Sequence, residues 1–499
     1  MRRTSSLIAL AAAWALLIPA GAQAQELPPT PPRDQWFAQN DTGHWSDGAH
    51  VRVDEACLGI EDEEERIACS LEAFKAKPFT VIAFVDSGIN PYHQDFRAPD
   101  FVHHPSTYIE GYPETGEGVD LSFDVADSGG YDAARSADDP RLLEMRTQRL
   151  YWFPGTRIVG GYTTSGCASN CGQAYPERRI IDDGGHGTGV ASVAAGRFFG
   201  SHPNALIVMV EGLGDANLTW ATNQPWIDIV SNSWGNLANL PLGSAAPTLN
   251  ATRRGQTVGF AAGNGTTNTN SSTAFPPGGA VEDPCKCKIP DSNPSMTSPY
   301  GGPSWVVTVG ATSPINGQAH WWHSIPVDVS SFGSKWRAAA PFGVAREENR
   351  DFGGTSCATP TTMGVLSSVI EAARVTFNDP VAGQRAGQVI AEAREGATIP
   401  ASGPLADGIL TRQEAEAVVL KTARPVALDP VKATWDYAIR PTTGTPYDTL
   451  IQGYGVVDRT AKAAAHRVLM GEEPMPDRTV EDATIAAADA LRNGVWGAP

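Results

Sequence analysis

The chain has 499 residues and a formal net charge of −18 at pH 7, because 55 acidic residues outnumber 37 basic ones. An acidic surface repels other polyanions, so we expect neither nucleic acid nor an anionic membrane as a partner. No internal repeats and no long low-complexity tracts interrupt the sequence, which predicts a single main domain with insertions.

The first residues have the features of a secretory signal peptide. Two arginines follow Met1, an apolar run covers 7–18, and small residues at Ala22 and Ala24 form a cleavage site. The apolar run is too short to span a bilayer, and no later segment approaches transmembrane length. We therefore expect residues 1–24 to be removed by the general secretory route and the mature chain to be secreted or periplasmic.

Seven cysteines fit an oxidising compartment. Six of them form three close pairs in the sequence, Cys57 and Cys69, Cys167 and Cys171, and Cys285 and Cys287. We expect a disulfide within the first pair, which flanks a predicted acidic helical turn in the N-terminal extension 25–77, whereas the other two pairs can also bridge to each other. A zinc site is the less favoured interpretation, because the spacings are irregular and no histidine joins them. The seventh, Cys357, is expected to be a small buried hydrophobic residue.

Short apolar runs rich in valine and isoleucine recur along the chain and predict strands buried on both faces, as in a parallel sheet. They cover residues 80–85, 205–210, 227–230, 258–262 and 305–309. Predicted helices of mostly small residues alternate with them, at 190–199, 361–376 and 412–422. This alternation predicts an α/β fold, a three-layer sandwich with a central, mostly parallel sheet.

The predicted core spans 78–470. It carries three long insertions, at about 98–180, 265–302 and 377–410. The first is rich in glycine, aspartate and aromatic residues, and we expect it to form surface loops or a small excursion near the rim of a cleft. An acidic tail, 471–499, follows the core and contains one predicted helix at 481–492.

The most informative stretch is Gly353-Gly-Thr-Ser-Cys-Ala-Thr-Pro360, in which a glycine-rich loop leads into a predicted helix. The glycines allow a tight turn, and Pro360 is tolerated in a first helical turn. Ser356 is thereby expected near the positive end of a helix dipole, beside free backbone N–H groups. Such a position suits a nucleophile whose reaction creates an oxyanion.

A base and an orienting partner for this serine occur earlier in the chain. Asp86 ends the first apolar run, and His186 lies in the glycine-rich block 184–189. The chain order Asp, His, Ser is one of three unrelated orders known to build the same triad. Asp86, Ser233 and Asn264 each follow an apolar run, so a parallel sheet would gather them at one edge. Taken singly, these residues also fit turns, an ordinary loop histidine or a helix cap, but those interpretations do not explain their order.

These blocks resemble those of subtilisin-like serine peptidases, the subtilases. The matching segments follow the family's order, at 86–90, 185–191, 231–235, 261–264 and 354–360. The resemblance extends over about 78–465 and implies the subtilisin-like fold and a peptidase activity.

The resemblance also implies a role for each residue. Ser356 would attack the peptide carbonyl, His186 would take the serine proton, and Asp86 would hold the imidazole. The side-chain amide of Asn264 and the backbone N–H of Ser356 would stabilise the oxyanion. Five residues are expected to line the cleft, Ser233, Trp234, Gly235, Ala262 and Gly263. The first three would pair with the substrate backbone as an added strand.

The chain departs from the family at several places. Asp86 and His186 are far apart in the sequence, and Gly189 stands where a second histidine is common, which we expect to change packing and leave the triad intact. The extension 25–77 is short for an inhibitory prodomain, so autoproteolytic activation is not predicted. No cofactor is required for the chemistry, and no acidic loop of fixed spacing predicts a metal site, although structural calcium is frequent in the family.

The favoured function is that of a secreted, monomeric serine endopeptidase acting on proteins or peptides. One alternative is a narrow-specificity processing peptidase, which the long insertions suggest. Another is an inactive subtilase-fold binding module, although no triad or oxyanion residue is missing. The acid-adapted sedolisins share the broad fold but use a glutamate base and an oxyanion aspartate, where this chain has His186 and Asn264.

Overall fold

The computed structural model describes most of the predicted core. The described residues are parts of 60–72, then, apart from a few single positions and residue pairs, 78–98, 101–121, 142–164, 180–235, 246–264, 301–339, 349–379, 389–390, 396–426 and 446–496. The predicted signal peptide 1–24 lies outside them, as do most of the extension 25–77 and of the insertion 265–302. Five of the seven cysteines also lie outside, so the disulfide pairing stays a prediction.

Fifteen strands are present in the described part of the chain. They are β1 Val81–Asp86, β2 Glu117–Gly118, β3 Tyr151–Trp152, β4 Ile158–Tyr162, β5 Leu206–Glu211, β6 Ile229–Asn232, β7 Thr257–Ala261, β8 Val307–Ile315, β9 Gln318–Trp321, β10 Val329–Phe332, β11 Trp336–Ala339, β12 Asn349–Phe352, β13 Val389–Ile390, β14 Ile409–Leu410 and β15 Val456–Val457. Eleven of them form one sheet, while β11 pairs with β12 and β13 with β14 as two small antiparallel ladders.

The large sheet has the order β15-β10-β8-β7-β6-β1-β5-β4-β3-β2, with β9 paired to β8. All neighbours from β15 to β4 run parallel, and only the β3–β4 and β8–β9 pairs are antiparallel. Strand β1 lies in the middle, between β5 and β6, and each predicted apolar run overlaps a strand of this sheet. The prediction of a central, mostly parallel sheet is confirmed.

Eight α-helices cover the sheet in the described part of the chain. They are α1 His186–Ala195, α2 Asp215–Thr222, α3 Ala246–Arg253, α4 Thr355–Thr376, α5 Arg412–Thr422, α6 Pro446–Gln452, α7 Arg459–Leu469 and α8 Thr479–Trp496. Two short 3-10 helices add to them, at Gln94–Phe96 and Pro105–Thr107. Among the described residues, no helix combines the length and the apolar character needed to cross a bilayer.

Two hydrophobic cores lie on opposite faces of the sheet. Successive residues of β1 alternate between them, because side chains of a strand point to opposite faces. Ile82 and Phe84 belong to the core under α1, α4, α5 and α7, whereas Val81 and Val85 belong to the core under α2 and α3. The three-layer α/β sandwich predicted from the sequence is therefore confirmed.

Two helices begin earlier than the sequence predicted. Helix α1 starts at His186 instead of 190, and α4 starts at Thr355 instead of 361. The glycines and threonines of these first turns are poor helix formers, but they are buried, and packing overrides propensity. Pro360 therefore lies in the second turn of α4, which corrects its predicted place in the first. Its missing N–H leaves the carbonyl of Ser356 without the usual helical donor.

The insertion at 98–180 is not only surface loop, as we had expected. It contributes β2, β3 and β4 to one side of the sheet, and it buries aromatic side chains. The Tyr112 ring lies 4.8 Å from that of Trp226, and its hydroxyl donates to the carbonyl of Val159 at 2.7 Å. This part of the insertion extends the sheet, and strands of two residues leave no periodic signal in the sequence.

The predicted tail helix is present as α8, and it packs on the core. Asp482 of this helix accepts a hydrogen bond from the Tyr454 hydroxyl at 2.5 Å and pairs with Lys421 at 2.8 Å. Arg478 donates to the carbonyl oxygens of Lys421 and Ala423, at the end of α5. The tail is thus attached to the same layer as the helices that cover the sheet.

A buried ion pair holds the end of α4 against the sheet. Arg374 donates to both carboxylate oxygens of Asp228, at 2.6 and 3.0 Å, and both side chains are almost fully buried. The same guanidinium donates to the carbonyl of Phe79, and Asp228 accepts the N–H of Val81. The pair therefore connects α4 to the amino ends of β1 and β6.

Removing the cation of this pair should destabilise the fold strongly. In Arg374→Met the Asp228 carboxylate stays buried without its charge partner, so we expect a loss of about 3–5 kcal/mol in the free energy of unfolding. The matched control is Arg467→Met, because Arg467 pairs with Glu473 at the surface, where we expect a change below about 1 kcal/mol. Urea titrations of both variants measure the difference, and equal losses would contradict the buried-pair argument.

Candidate active site

The site lies at the edge of the sheet where the parallel strands end. Asp86 is the last residue of β1, Ser233 follows β6, and residues 262–264 follow β7. Helices α1 and α4 begin beside them and bring His186 and Ser356 to the same edge. Strand ends and helix starts meet here because parallel strands all have their carboxyl ends at one edge.

His186 and Asp86 are in direct contact. The imidazole Nδ1 lies 2.7 Å from Oδ1 of Asp86, which also accepts the backbone N–H of Ser87 at 2.8 Å. The Asp86 side chain is 1% exposed and that of His186 is 40% exposed, so the pair joins a buried carboxylate to a ring open on one side. A carboxylate can only accept, so Nδ1 carries the hydrogen and Nε2 of the neutral ring is left to accept a proton.

A second buried carboxylate, Asp182, holds the backbone around this pair. It accepts the N–H of Gly185 and of Thr188, both at 2.7 Å, and the hydroxyl of Ser87 at 2.9 Å. Ser87 in turn accepts the N–H of Gly187 at 3.0 Å. Burial raises the pKa of Asp182, and the hydrogen bonds from Thr188 oppose this. Asp182 therefore connects the first turn of α1 to the turn that follows β1.

Sequence reasoning missed Asp182, although a signal was present. An acidic residue shortly before a helix start commonly accepts the unpaired N–H groups of the first turn. The predicted start of α1 at 190 places Asp182 too far from the helix for such a cap, whereas the observed start at His186 brings it within reach.

Ser356 lies in the first turn of α4 and is tied to Ser233 by two hydrogen bonds. Its hydroxyl donates to the carbonyl of Ser233 at 3.1 Å, and the Ser233 hydroxyl donates to the carbonyl of Ser356, also at 3.1 Å. The second bond replaces the one that Pro360 cannot make, because proline has no N–H. The chain after β6 is thereby held against the start of α4.

Asn264 is oriented by the residue before Ser356. Its Oδ1 accepts both the N–H and the hydroxyl of Thr355, at 2.8 and 2.9 Å. Since a backbone N–H must meet an oxygen, this fixes which end of the amide is which, and the amino group is left to donate. Gly354 permits the approach, because it has φ +77° and a Cβ there would lie 2.9 Å from Asn264 Oδ1.

The other residues predicted to line the cleft are at the same edge. Ala262 is buried and donates to the carbonyl of Val309 at 3.0 Å, while the carbonyl of Gly263 accepts the N–H of Ser324 at 2.9 Å. The Trp234 ring packs edge-on against Phe260, with centroids 5.4 Å apart. Gly235 is exposed. Their contact with a substrate stays a prediction.

Cys357, next to Ser356, is fully buried and has no disulfide. Burial raises the pKa of its thiol, so it stays protonated at neutral pH. The prediction of a small buried hydrophobic residue is confirmed. In the part of the chain that the structure describes, no group of three or more histidine, cysteine, aspartate or glutamate side chains is arranged to hold a metal ion.

Comparison with protein families agrees with this geometry. The model of the subtilase family, peptidases with a catalytic serine, matches residues 79–379. The chain belongs to the subtilase family. Membership makes it a serine endopeptidase, a hydrolase whose substrates are proteins or peptides. The match contains Asp86, His186, Asn264 and Ser356.

Comparisons with individual proteins add little. A search of curated proteins returned no match. Among solved structures, the subtilase is similar to the epidermin leader peptide processing serine protease EpiP of Staphylococcus aureus. A serine-to-alanine mutant of EpiP is 13% identical with a TM-score of 0.42, over 80% of this chain and 78% of that one. A second EpiP structure is 14% identical with a TM-score of 0.42, over 79% and 78%. Likenesses of this size carry no argument about the site or the substrate.

The Asp182 network generates a test. In Asp182→Asn, one amide oxygen must replace two carboxylate oxygens that accept three hydrogen bonds, so we expect about 1–3 kcal/mol less stability. Because those bonds align Asp86 with His186, kcat should fall about tenfold or more while KM changes little. Asp215→Asn, at the start of α2, is the control and should leave both constants unchanged. An unchanged kcat in a folded Asp182→Asn enzyme would show that the network only supports the fold.

Proposed function

We propose that this subtilase cleaves internal peptide bonds through Asp86, His186 and Ser356 and an acyl-enzyme intermediate. The observation that supports this most directly is the 2.7 Å contact between Nδ1 of His186 and the buried Asp86 carboxylate. In the tautomer that this contact favours, Nδ1 carries the hydrogen and Nε2 can accept a proton, as a general base must. Ser356, in the first turn of a helix at the same edge, is the candidate nucleophile.

The first step of the proposed reaction moves one proton. The hydroxyl of Ser356, which now donates to the carbonyl of Ser233, turns to His186 and gives its proton to Nε2 as Oγ attacks the peptide carbonyl. The imidazolium that forms is stabilised by the Asp86 carboxylate. His186 then returns the proton to the leaving amine, and a water molecule releases the acyl group by the same route in reverse.

Two donors would stabilise the oxyanion of the tetrahedral intermediate. One is the amino group of Asn264, which points away from Thr355 because Thr355 occupies the amide oxygen. The other is the backbone N–H of Ser356, one of the first four of α4, which have no partner within the helix. Both are held before the substrate arrives, so little reorganisation is needed during the reaction.

We further propose that the enzyme acts outside the cytoplasm as a monomer, after removal of residues 1–24, and that the chemistry requires no cofactor or metal. The signal-peptide features of the first residues and the cysteine content support the location. The domain limits 78–470 for the catalytic part and 471–499 for the tail remain part of this proposal, as does a disulfide between Cys57 and Cys69.

Replacing the proposed nucleophile tests the reaction. Ser356→Ala should abolish peptide hydrolysis and labelling by a serine-directed fluorophosphonate, and it should leave the unfolding transition close to that of the wild type. Ser368→Ala, which replaces a buried serine in the fourth turn of the same helix, is the control and should keep the label. Peptide mapping of the label identifies the residue. A labelled Ser356→Ala enzyme would place the nucleophile elsewhere, and an unlabelled wild type would support an inactive binding module.

The oxyanion role of Asn264 predicts a particular kinetic pattern. Asn264→Ala should lower kcat by about 10²–10³, the loss measured when a subtilisin is deprived of one oxyanion donor, while KM changes little. The reason is that the amino group binds the oxygen mainly in the transition state. A change confined to KM would show that Asn264 only binds substrate. A proteome-derived peptide library, run in parallel on the wild type, separates a broad endopeptidase from a narrow processing enzyme.

A further inference from the structure

Gly189 is a glycine inside the helix that carries the proposed base. It lies in α1, three residues after His186, so the two positions share one face of the helix. A Cβ at Gly189 would lie 2.9 Å from Cδ2 and 3.0 Å from Cε2 of Phe352. The ring of Phe352 therefore occupies the space that a side chain at 189 would need.

The same aromatic ring is in contact with His186. The centroids of the two rings are 5.5 Å apart with an interplanar angle of 69°, an edge-to-face arrangement. Phe352 is 6% exposed, whereas the His186 side chain is 40% exposed. The hydrogen bond to Asp86 holds Nδ1 only, and it does not prevent the ring from turning about that contact. Phe352 closes one side of the ring and limits this movement.

Phe352 is itself held in place by a hairpin that is fastened to α1. It is the last residue of β12, and β12 pairs with β11. Ala339 of β11 donates its N–H to the hydroxyl of Ser192 at 2.9 Å, and that hydroxyl donates to the buried Asp95 carboxylate at 2.5 Å. Ser192 lies one helical turn after Gly189. The hairpin therefore contacts α1 at two successive turns, through Phe352 at Gly189 and through Ala339 at Ser192.

The hairpin also leads directly to the nucleophile. Only Gly353, Gly354 and Thr355 separate Phe352 from Ser356. One segment thus packs on the helix that carries the base and supplies the helix that carries the nucleophile. A displacement of this segment would therefore reach both partners of the proposed proton transfer.

We propose that Phe352 is a positioning residue for His186 and that the glycine at 189 is required because it admits this ring. The inference rests on the proposed role of His186 as the general base. Phe352 acts through the imidazole and does not touch the reacting atoms.

Three variants test the proposal. Phe352→Leu removes the ring edge, and Gly189→Ala displaces it, so each should lower kcat about tenfold, because small misplacements of reacting groups cost up to about 10²-fold. In the double variant the shorter leucine makes room for the methyl group. The fold loss of kcat in the double variant should therefore be smaller than the product of the fold losses in the two single variants. Phe377→Leu, which changes another buried phenylalanine, at the carboxyl end of α4, is the matched control and should keep the wild-type kcat.

Two readouts separate positioning from substrate contact. The second-order rate of fluorophosphonate labelling of Ser356 should fall with kcat in the single variants, since labelling also needs the base. KM for two peptides that differ only after the scissile bond should stay within about twofold of the wild type, because uniform binding is unchanged. Rates are expressed per labelled site. If Phe352→Leu does not fold, Phe352→Met and Phe352→Tyr replace it. The tyrosine variant keeps the aromatic ring, so it should retain most of the activity.

The outcomes distinguish this inference from the proposed function. If His186→Ala is inactive but Phe352→Leu keeps its kcat and labelling rate, the positioning role is wrong and the proposed function stands. Effects confined to KM, or single effects that simply multiply in the double variant, also overturn the positioning role. If His186→Ala retains full activity, the proposed base is wrong and the inference falls with it.

Discussion

The geometry of the site depends on how the buried helix α4 is held at its two ends. Of its 22 residues, 18 are buried. At its carboxyl end Arg374 is paired with Asp228, at the amino ends of β1 and β6, and at its start Thr355 is bonded to Asn264 after β7. A helix is a stiff rod of about 1.5 Å per residue, so fixing both ends fixes the position of Ser356 relative to the sheet.

His186, the proposed base, is held in place by a separate set of contacts. Two buried carboxylates lie close together at the end of β1, and each has a separate task. Asp86 bonds the imidazole of His186, while Asp182 accepts the N–H groups of Gly185, just before α1, and of Thr188 within it, and the hydroxyl of Ser87. Like charges in a buried place repel, and the charge of Asp86 adds to the raised pKa of Asp182. The three hydrogen bonds that Asp182 accepts offset this cost, and they keep α1 attached to β1.

Two residues that are unusual inside helices, Pro360 in α4 and Gly189 in α1, each allow a contact with another element of the fold. Pro360 deprives the carbonyl of Ser356 of a helical donor, and Ser233 supplies one, which joins the chain after β6 to α4. Gly189 lacks a side chain, and the ring of Phe352 from β12 occupies the space that a side chain there would need. In each case a group is missing, a backbone donor or a side chain, and a residue from another element takes its place. These contacts couple the elements that surround the site, so mutations of the two partners should have non-additive effects on activity.

Local patterns in the sequence were sufficient for the architecture and for the list of candidate residues. Apolar runs of strand length predicted the parallel sheet, and their ends predicted that Asp86, Ser233 and Asn264 follow strands at one edge. The helix starts and the two-residue strands of the 98–180 insertion were not predictable. Their residues have weak or no periodicity, and burial against distant parts of the chain decides their conformation.

By itself, the sequence determined the α/β class, the order of the catalytic-type motifs and the family, because strand periodicity and glycine-rich turns are properties of neighbouring residues. Only the tertiary structure decided that Asp182 caps α1, the helix that begins at His186, that Thr355 orients Asn264 and that Phe352 lies over Gly189. Most of these contacts join residues far apart in the chain, and their distances are set by the packing of whole helices and strands, which no local pattern records.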